Sequence, residues 1–246
     1  MCMKIRSILF KTYFYIMTAL VMLTAVVFLP FSYKPMSNHV RCWGKLTYLG
    51  LRIFCNIKFE VRGLEYLPKN RAVIIACKHQ SAFETAGLFH NLLPYPAYAL
   101  KASLNKIPLW RAISQKAGAL AIERDKGSSA LKLMVKQAAK FINENRSLII
   151  FPEGTRIDVK TEGRYLPGVF ALCQSFADVA VVPAAINSGM FWSNSGSILR
   201  SGTIVLEFLA PMDNHLARKD FMADMKNRIE SKTRHLEDEV TTLDFL

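Results

Sequence analysis

The chain has 246 residues, 51% of them apolar and 21% charged. That composition fills one substantial core, or one core plus a membrane-attachment segment, and excludes a fibrous or disordered protein. The formal charge is +13, and the first 60 residues carry Lys4, Arg6, Lys11, Lys34, Arg41, Lys45, Arg52 and Lys58 against one acid, Glu60, so more than half of the excess belongs to the N-terminal quarter.

The N-terminal segment comes first in the chain and accounts for that charge. Between Thr12 and Tyr33 there is no charged residue, and the run from Ile16 to Phe31 is almost wholly apolar. As a helix it is long enough to cross about 30 Å of hydrocarbon. A membrane anchor is expected, because the run is too long for a cleaved signal peptide and no small-x-small site follows it. The next segment, Trp43 to Ile57, intersperses Leu46, Tyr48, Leu51, Ile53 and Phe54 with Lys45 and Arg52. If helical it has an apolar face and a basic rim, suited to the headgroup region. A single span and a re-entrant helical hairpin both remain open, as does a core role for residues 43–57. Residues 1–58 are expected to form the membrane-anchoring segment and 59–246 an α/β domain, at a membrane surface facing the cytoplasm.

Beyond Lys58 the apolar runs shorten and turn residues separate them. Strands are expected over 71–77, 147–151, 179–186 and 203–209, and helices over about 82–92, 126–145, 168–177 and 214–240. Strands alternating with helices predict an α/β fold with a largely parallel sheet flanked by helices. The five cysteines, at 2, 42, 55, 77 and 173, form no CxxC pair. They suggest neither a disulfide framework nor a zinc site, and no metal is expected.

Two loops carry chemistry, and in such sheets reactive groups gather where strands run out into loops. His79 follows the strand 71–77, and Glu84 lies five residues later. On a continuous helix the two would lie about 140° apart around the axis. They can meet if His79 is in the loop and Glu84 in the first turn, which the capping-box spacing of Ser81 and Glu84 supports. The same spacing fits a plain helix cap. In the catalytic alternative, Glu84 fixes the tautomer of His79 and leaves its other nitrogen to remove a proton. Phe151-Pro152-Glu153-Gly154-Thr155-Arg156 follows the strand 147–151. There Gly154 permits close backbone approach, Thr155 adds a hydroxyl and Arg156 a guanidinium fork for phosphate oxygens. A turn with a surface arginine is the alternative. No GxSxG elbow is present, and a buried strand cysteine such as Cys77 is usually inert.

Four blocks in this order resemble the 1-acylglycerol-3-phosphate acyltransferases. They are Lys78 to Glu84; Lys101 to Pro108 with Gly118 and Ile122-Glu123-Arg124; Phe151 to Arg156; and Val182 to Gly189. The resemblance implies that His79 deprotonates the sn-2 hydroxyl of lysophosphatidate, that Glu84 orients His79, and that Arg156, in the loop with Glu153, Gly154 and Thr155, holds the acceptor phosphate. Lys101 and Arg124 are further candidates for that basic pocket. It also implies direct attack on an acyl thioester, acyl-CoA or acyl-carrier protein, with no covalent intermediate and no cofactor. The family usually has Asp where this chain has Glu84 and Glu123.

Membrane phospholipid and lysophosphatidate are therefore the expected partners. The basic excess flanks apolar segments and no nucleic-acid fold signature occurs, so nucleic acid is not expected. Acylation of another acceptor, such as a lyso-ornithine lipid or glycerol 3-phosphate, and a non-catalytic lipid-binding role are the competing readings.

Overall fold

The computed structural model describes residues 2–122, 127–194, 196 and 198–243. Helices α1 (Met3–Ala25) and α2 (Tyr33–Cys55) form an antiparallel hairpin at the N-terminus. Polar contacts knit it at intervals along its length. The Arg6 Nε donates to the carbonyl of Phe54 at 2.6 Å, the Tyr13 hydroxyl to that of Leu46 at 2.9 Å, and the Trp43 indole to the Thr18 hydroxyl at 3.0 Å. Gly50 lets the helices close up, since a Cβ there would stand 2.3 Å from the Tyr13 ring.

The outer side of this hairpin is apolar and uncovered. Ile5, Ile8, Leu9, Tyr15, Ile16, Leu20, Leu23 and Val27 of the first helical stretch are exposed, as are Leu49 and Ile53 of α2. The stretch Met3–Phe28 is long and apolar enough to cross a membrane by length and composition. A patch of this size is far larger than a water-facing surface normally carries. The inner side is docked on the rest of the chain: Phe10 is fully buried and meets Trp192 edge-on at 5.3 Å, and Leu51 and Cys55 join the same core. Residues 43–57 therefore combine a core face with an exposed apolar one.

A seven-stranded sheet follows, made of β1 (Ile57–Arg62), β2 (Ile74–Cys77), β3 (Ala97–Lys101), β4 (Ala119–Ile122), β5 (Leu148–Ile150), β6 (Val181–Ile186) and β7 (Gly202–Phe208). Their order is β1-β7-β6-β2-β5-β3-β4, and every pairing is parallel except β6 with β7. The central strands β2, β5 and β6 are buried at every residue, which is why they read as continuous apolar runs. One face packs against the hairpin, α3 (Leu88–Leu92) and α4 (Pro108–Ala117). The other is covered by α5 (Gly127–Asn143), α6 (Gly168–Ser175) and α7 (Arg218–Leu243), through Met134, Phe141, Leu172, Phe221, Met225 and Ile229.

All four expected strands are present, within a few residues of the expected bounds, while β1, β3, β4 and α4 were not anticipated. The helix expected over 82–92 is a 3-10 turn, Phe83–Thr85, followed by the short α3. Packing against the hairpin breaks it. Gly87, at φ +76°, passes so close to α2 that a Cβ would meet the Gly44 Cα and the Val40 carbonyl at 2.9 Å. Gly44 is equally tight, its Cβ position lying 2.7 Å from the Gly87 carbonyl. Gly44→Val is therefore expected to force the hairpin outward and lower unfolding stability by about 1–3 kcal/mol, read from the denaturation midpoint.

Candidate functional site

Strands β2 to β6 are mutually parallel, so their C-terminal ends open on one edge of the sheet. Read along that edge in the order β6-β2-β5-β3, the strands run out at Asn187-Ser188-Gly189, Lys78-His79, Phe151 to Arg156, and Lys101. Four blocks scattered over 110 residues of sequence are thus brought side by side by topology alone.

His79 meets Glu84 there. Its Nδ1 lies 3.1 Å from Glu84 Oε2, and its ring stacks on Phe151 with centroids 4.1 Å apart. Glu84 is fully buried and accepts from every side. The same Oε2 takes the Ser81 N–H at 2.9 Å, while Oε1 accepts the hydroxyl of Ser188 at the end of β6. The Ser81 hydroxyl accepts the Phe83 N–H at 2.9 Å. Half of the expected box is therefore present: Glu84 reaches back to the Ser81 N–H, but the Ser81 hydroxyl takes the N–H of Phe83 instead of that of Glu84, at a 3-10 turn whose N-cap is Ala82. Capping and orienting His79 coexist on one oxygen. Ser188 was missed by the sequence reading, although it belongs to the fourth block. The spacing of Glu84 gave no hint of a hydroxyl 104 positions away.

Beneath the histidine lies a cluster of buried charge. The Lys78 ammonium, with no exposed surface, pairs with Glu153 Oε1 at 2.7 Å and with both oxygens of Glu230 at 2.8 and 2.9 Å. Glu153 Oε2 accepts the backbone N–H of His79 at 3.0 Å, and the His79 carbonyl accepts the Ile157 N–H at 2.8 Å. Both backbone groups of His79 are thereby fixed to the 151–157 loop. The Tyr165 hydroxyl donates to Glu230 at 3.1 Å. One turn-pair along α7, Glu237 accepts from Gln80 at 2.7 Å, and Gln80 in turn accepts the Gly189 N–H at 3.2 Å. Burial pushes the Glu153 carboxyl up to about 7 against the pull of Lys78, and it drives the Cys77 thiol well above its usual value, which makes that thiol a poor nucleophile.

The expected phosphate loop divides in two. Glu153 does not face outward with the others. Its carboxylate turns inward to Lys78 and is a brace, because the left-handed Gly154 at φ +69° reverses the chain directly after it. Gly154, Thr155 and Arg156 line a cavity of about 500 Å³, together with His79 and Lys101. Arg156, Thr155 and Lys101 are exposed, so they form its mouth. The remaining wall is mostly apolar and includes Val21, Met22, Met36, Trp43 and Ile113, from α1, α2 and α4. Glu123 and Arg124 lie outside the described residues.

His79, held by a buried carboxylate, thus stands beside an exposed basic loop and a mostly apolar cavity at one edge of an α/β sheet. Comparison with known proteins agrees with this layout. Residues 58–187 match the family model described as Acyltransferase, and the chain belongs to that family. It is 34% identical over 168 residues to a 1-acyl-sn-glycerol-3-phosphate acyltransferase of Pseudomonas aeruginosa, covering 67% of this chain and 63% of that one. With the human 1-acyl-sn-glycerol-3-phosphate acyltransferase beta it shares 30% over 162 residues, 64% of this chain and 57% of the other. The chain thus spans less than two thirds of the length of these two relatives. In fold it is similar to the 1-acyl-sn-glycerophosphate (LPA) acyltransferase PlsC of Thermotoga maritima, with a TM-score of 0.74 at 18% identity over 96% of this chain and 98% of that one.

Lys78→Met leaves two buried carboxylates facing each other and is expected to cost about 3–5 kcal/mol of stability at pH 8, measured by denaturant unfolding. A second outcome follows from Glu153. Its folded value, about 7, lies above the ordinary 4.5, so the folded chain holds a proton that the unfolded chain has released. Its contribution to stability therefore falls as pH rises from about 4.5 to 7. Glu153→Gln is expected to flatten the pH dependence of the melting temperature across that window.

Proposed function

We propose that the protein transfers a fatty acyl group from an acyl thioester, acyl-CoA or acyl-carrier protein, to the sn-2 hydroxyl of lysophosphatidate, giving phosphatidate. The observation that carries this reading is the cavity with the His79–Glu84 pair and the Arg156 and Lys101 cations at one end and an apolar wall at the other. An acceptor phosphate suits the guanidinium fork of Arg156, and an acyl chain suits the wall built from α1, α2 and α4.

Glu84 holds the Nδ1–H of His79, so Nε2 is the nitrogen that takes the proton from the acceptor hydroxyl. The oxygen attacks the thioester carbonyl, the C–S bond breaks, and the imidazolium, stabilised by Glu84, returns its proton to the departing thiolate. Burial of Cys77 supports direct transfer with no acyl-enzyme. The hairpin would lie in the bilayer by its exposed apolar side and bring the cavity to the surface where lysophosphatidate resides. Its basic flanks would attract anionic headgroups on the cytoplasmic side, at about 1 kcal/mol per well-placed cation.

The test pairs each thioester donor with lysophosphatidate and follows phosphatidate. Formation of phosphatidate by the purified protein is expected, and its absence with every donor overturns the proposal. Arg156→Ala is expected to raise the acceptor KM roughly tenfold or more for a phosphate monoester and to change it little for an acceptor without phosphate.

A further inference from the structure

We infer that His90 is a polar anchor deep in the cavity wall, and that the acyl chain held there carries a hydroxyl group. The inference rests on the reading of the cavity as an acyl site. His90, on α3, is 4% exposed and lines the cavity, its ring stacked on Tyr98 with centroids 5.4 Å apart. Its carbonyl accepts the Arg41 Nε at 2.6 Å, which fixes the residue against α2. Neither Nδ1 nor Nε2 has a hydrogen-bond partner among the described residues.

The chemistry of the missing partner can be narrowed. Burial, reinforced by Arg146 and Arg41, holds the imidazole neutral and pulls its pKa down to about 3. A neutral imidazole offers one N–H donor and one lone pair, and a hydroxyl can meet either; the mostly apolar lining gives a water few of the further partners it needs there and favours a hydroxyl carried on the chain. An anion is disfavoured, because the nearby Arg146 guanidinium is already committed to the carbonyls of Tyr95 at 2.7 Å and Ala117 at 3.0 Å and lies over the Tyr33 ring. A second unpaired group faces the same space. The Trp110 indole Nε1 is buried without a partner among the described residues, and Trp110 and Ser114 sit one turn apart on the cavity side of α4.

Position matters as well. Tyr98, on which His90 stacks, precedes Lys101 by three residues of β3, a rise of about 10 Å along the strand from the basic mouth. The hydroxyl would therefore sit well along the chain, away from the reacting carbonyl. An apolar residue at 90 would spare the folded chain an unmet polar group. A buried ring with neither nitrogen paired within the fold is the pattern expected of a group that a ligand completes.

The probes are fatty acids of equal length, with a hydroxyl at successive mid-chain positions or with none, added to the purified full chain in lipid nanodiscs. At one hydroxyl position, binding about tenfold tighter than that of the plain acid is expected. His90→Leu is expected to bind both acids alike and, unliganded, to melt higher than the wild type. His90→Phe serves as a second variant should the first fail to fold. Equal binding of plain and all hydroxylated acids by the wild type overturns the inference. So does a preference that survives both substitutions, or an unliganded His90→Leu that melts lower, which would mean the imidazole is already satisfied. Because binding is read without turnover, failure to form phosphatidate would overturn the proposed reaction and leave this result separate.

Discussion

One buried ammonium holds together the edge of the sheet that carries His79. Lys78 lies between Glu153 and Glu230 with no exposed surface, so three segments, the β2 loop, the β5 loop and α7, are bound to one point. Above about pH 7, where Glu153 is ionised, two carboxylates around one cation leave a net negative charge, which the His79 backbone N–H and the Tyr165 hydroxyl spread further. Such a cluster contributes little net stability compared with apolar packing, but it is costly to break and tolerates one geometry. Its effect is positional. Glu153 fixes the backbone of His79, and Glu84 fixes its ring.

That arrangement makes α7 part of the site. The stretch matching the family model ends at residue 187, whereas Glu230 and Glu237 lie on a helix spanning Arg218–Leu243. Through Glu237, Gln80 and Gly189 the same helix also reaches the loop that bears Ser188, and Ser188 reaches Glu84. The polar network is closed: each residue that orients His79 is itself held by another element. On the opposite side the hairpin contributes much of the apolar wall of the cavity, so the helices with the exposed apolar side and the histidine share one space.

Much of this was legible in the residues. Periodicity gave the buried strands β2, β5, β6 and β7, and loop residues after two of them marked His79 and Arg156. The fall of strand and helix in alternation gave the class of fold. β3 and β4 were hidden because they are only partly buried and so make no unbroken run of large apolar residues, and their sheet partners are set by tertiary pairing. Gly87 broke an expected helix for a reason located in α2, and no local signal carries that. The inward turn of Glu153 followed from Lys78, whose burial is invisible to a pattern that treats lysine as surface. Glu230 and Glu237 lie seven residues apart on the helix expected over 214–240, and nothing in its local pattern singles them out. Local chemistry was therefore readable, and long-range pairing of charge was not.

The central claim is that Glu84 acts through His79 and not beside it. A double-mutant cycle on kcat at saturating acceptor and donor tests this directly. If Glu84 serves only to orient and stabilise the imidazole, His79→Ala and the His79→Ala/Glu84→Ala double variant will turn over at the same residual rate, while Glu84→Ala alone lies above both. Losses that multiply in the double variant would contradict the account, since Glu84 would then have a role that does not pass through the histidine.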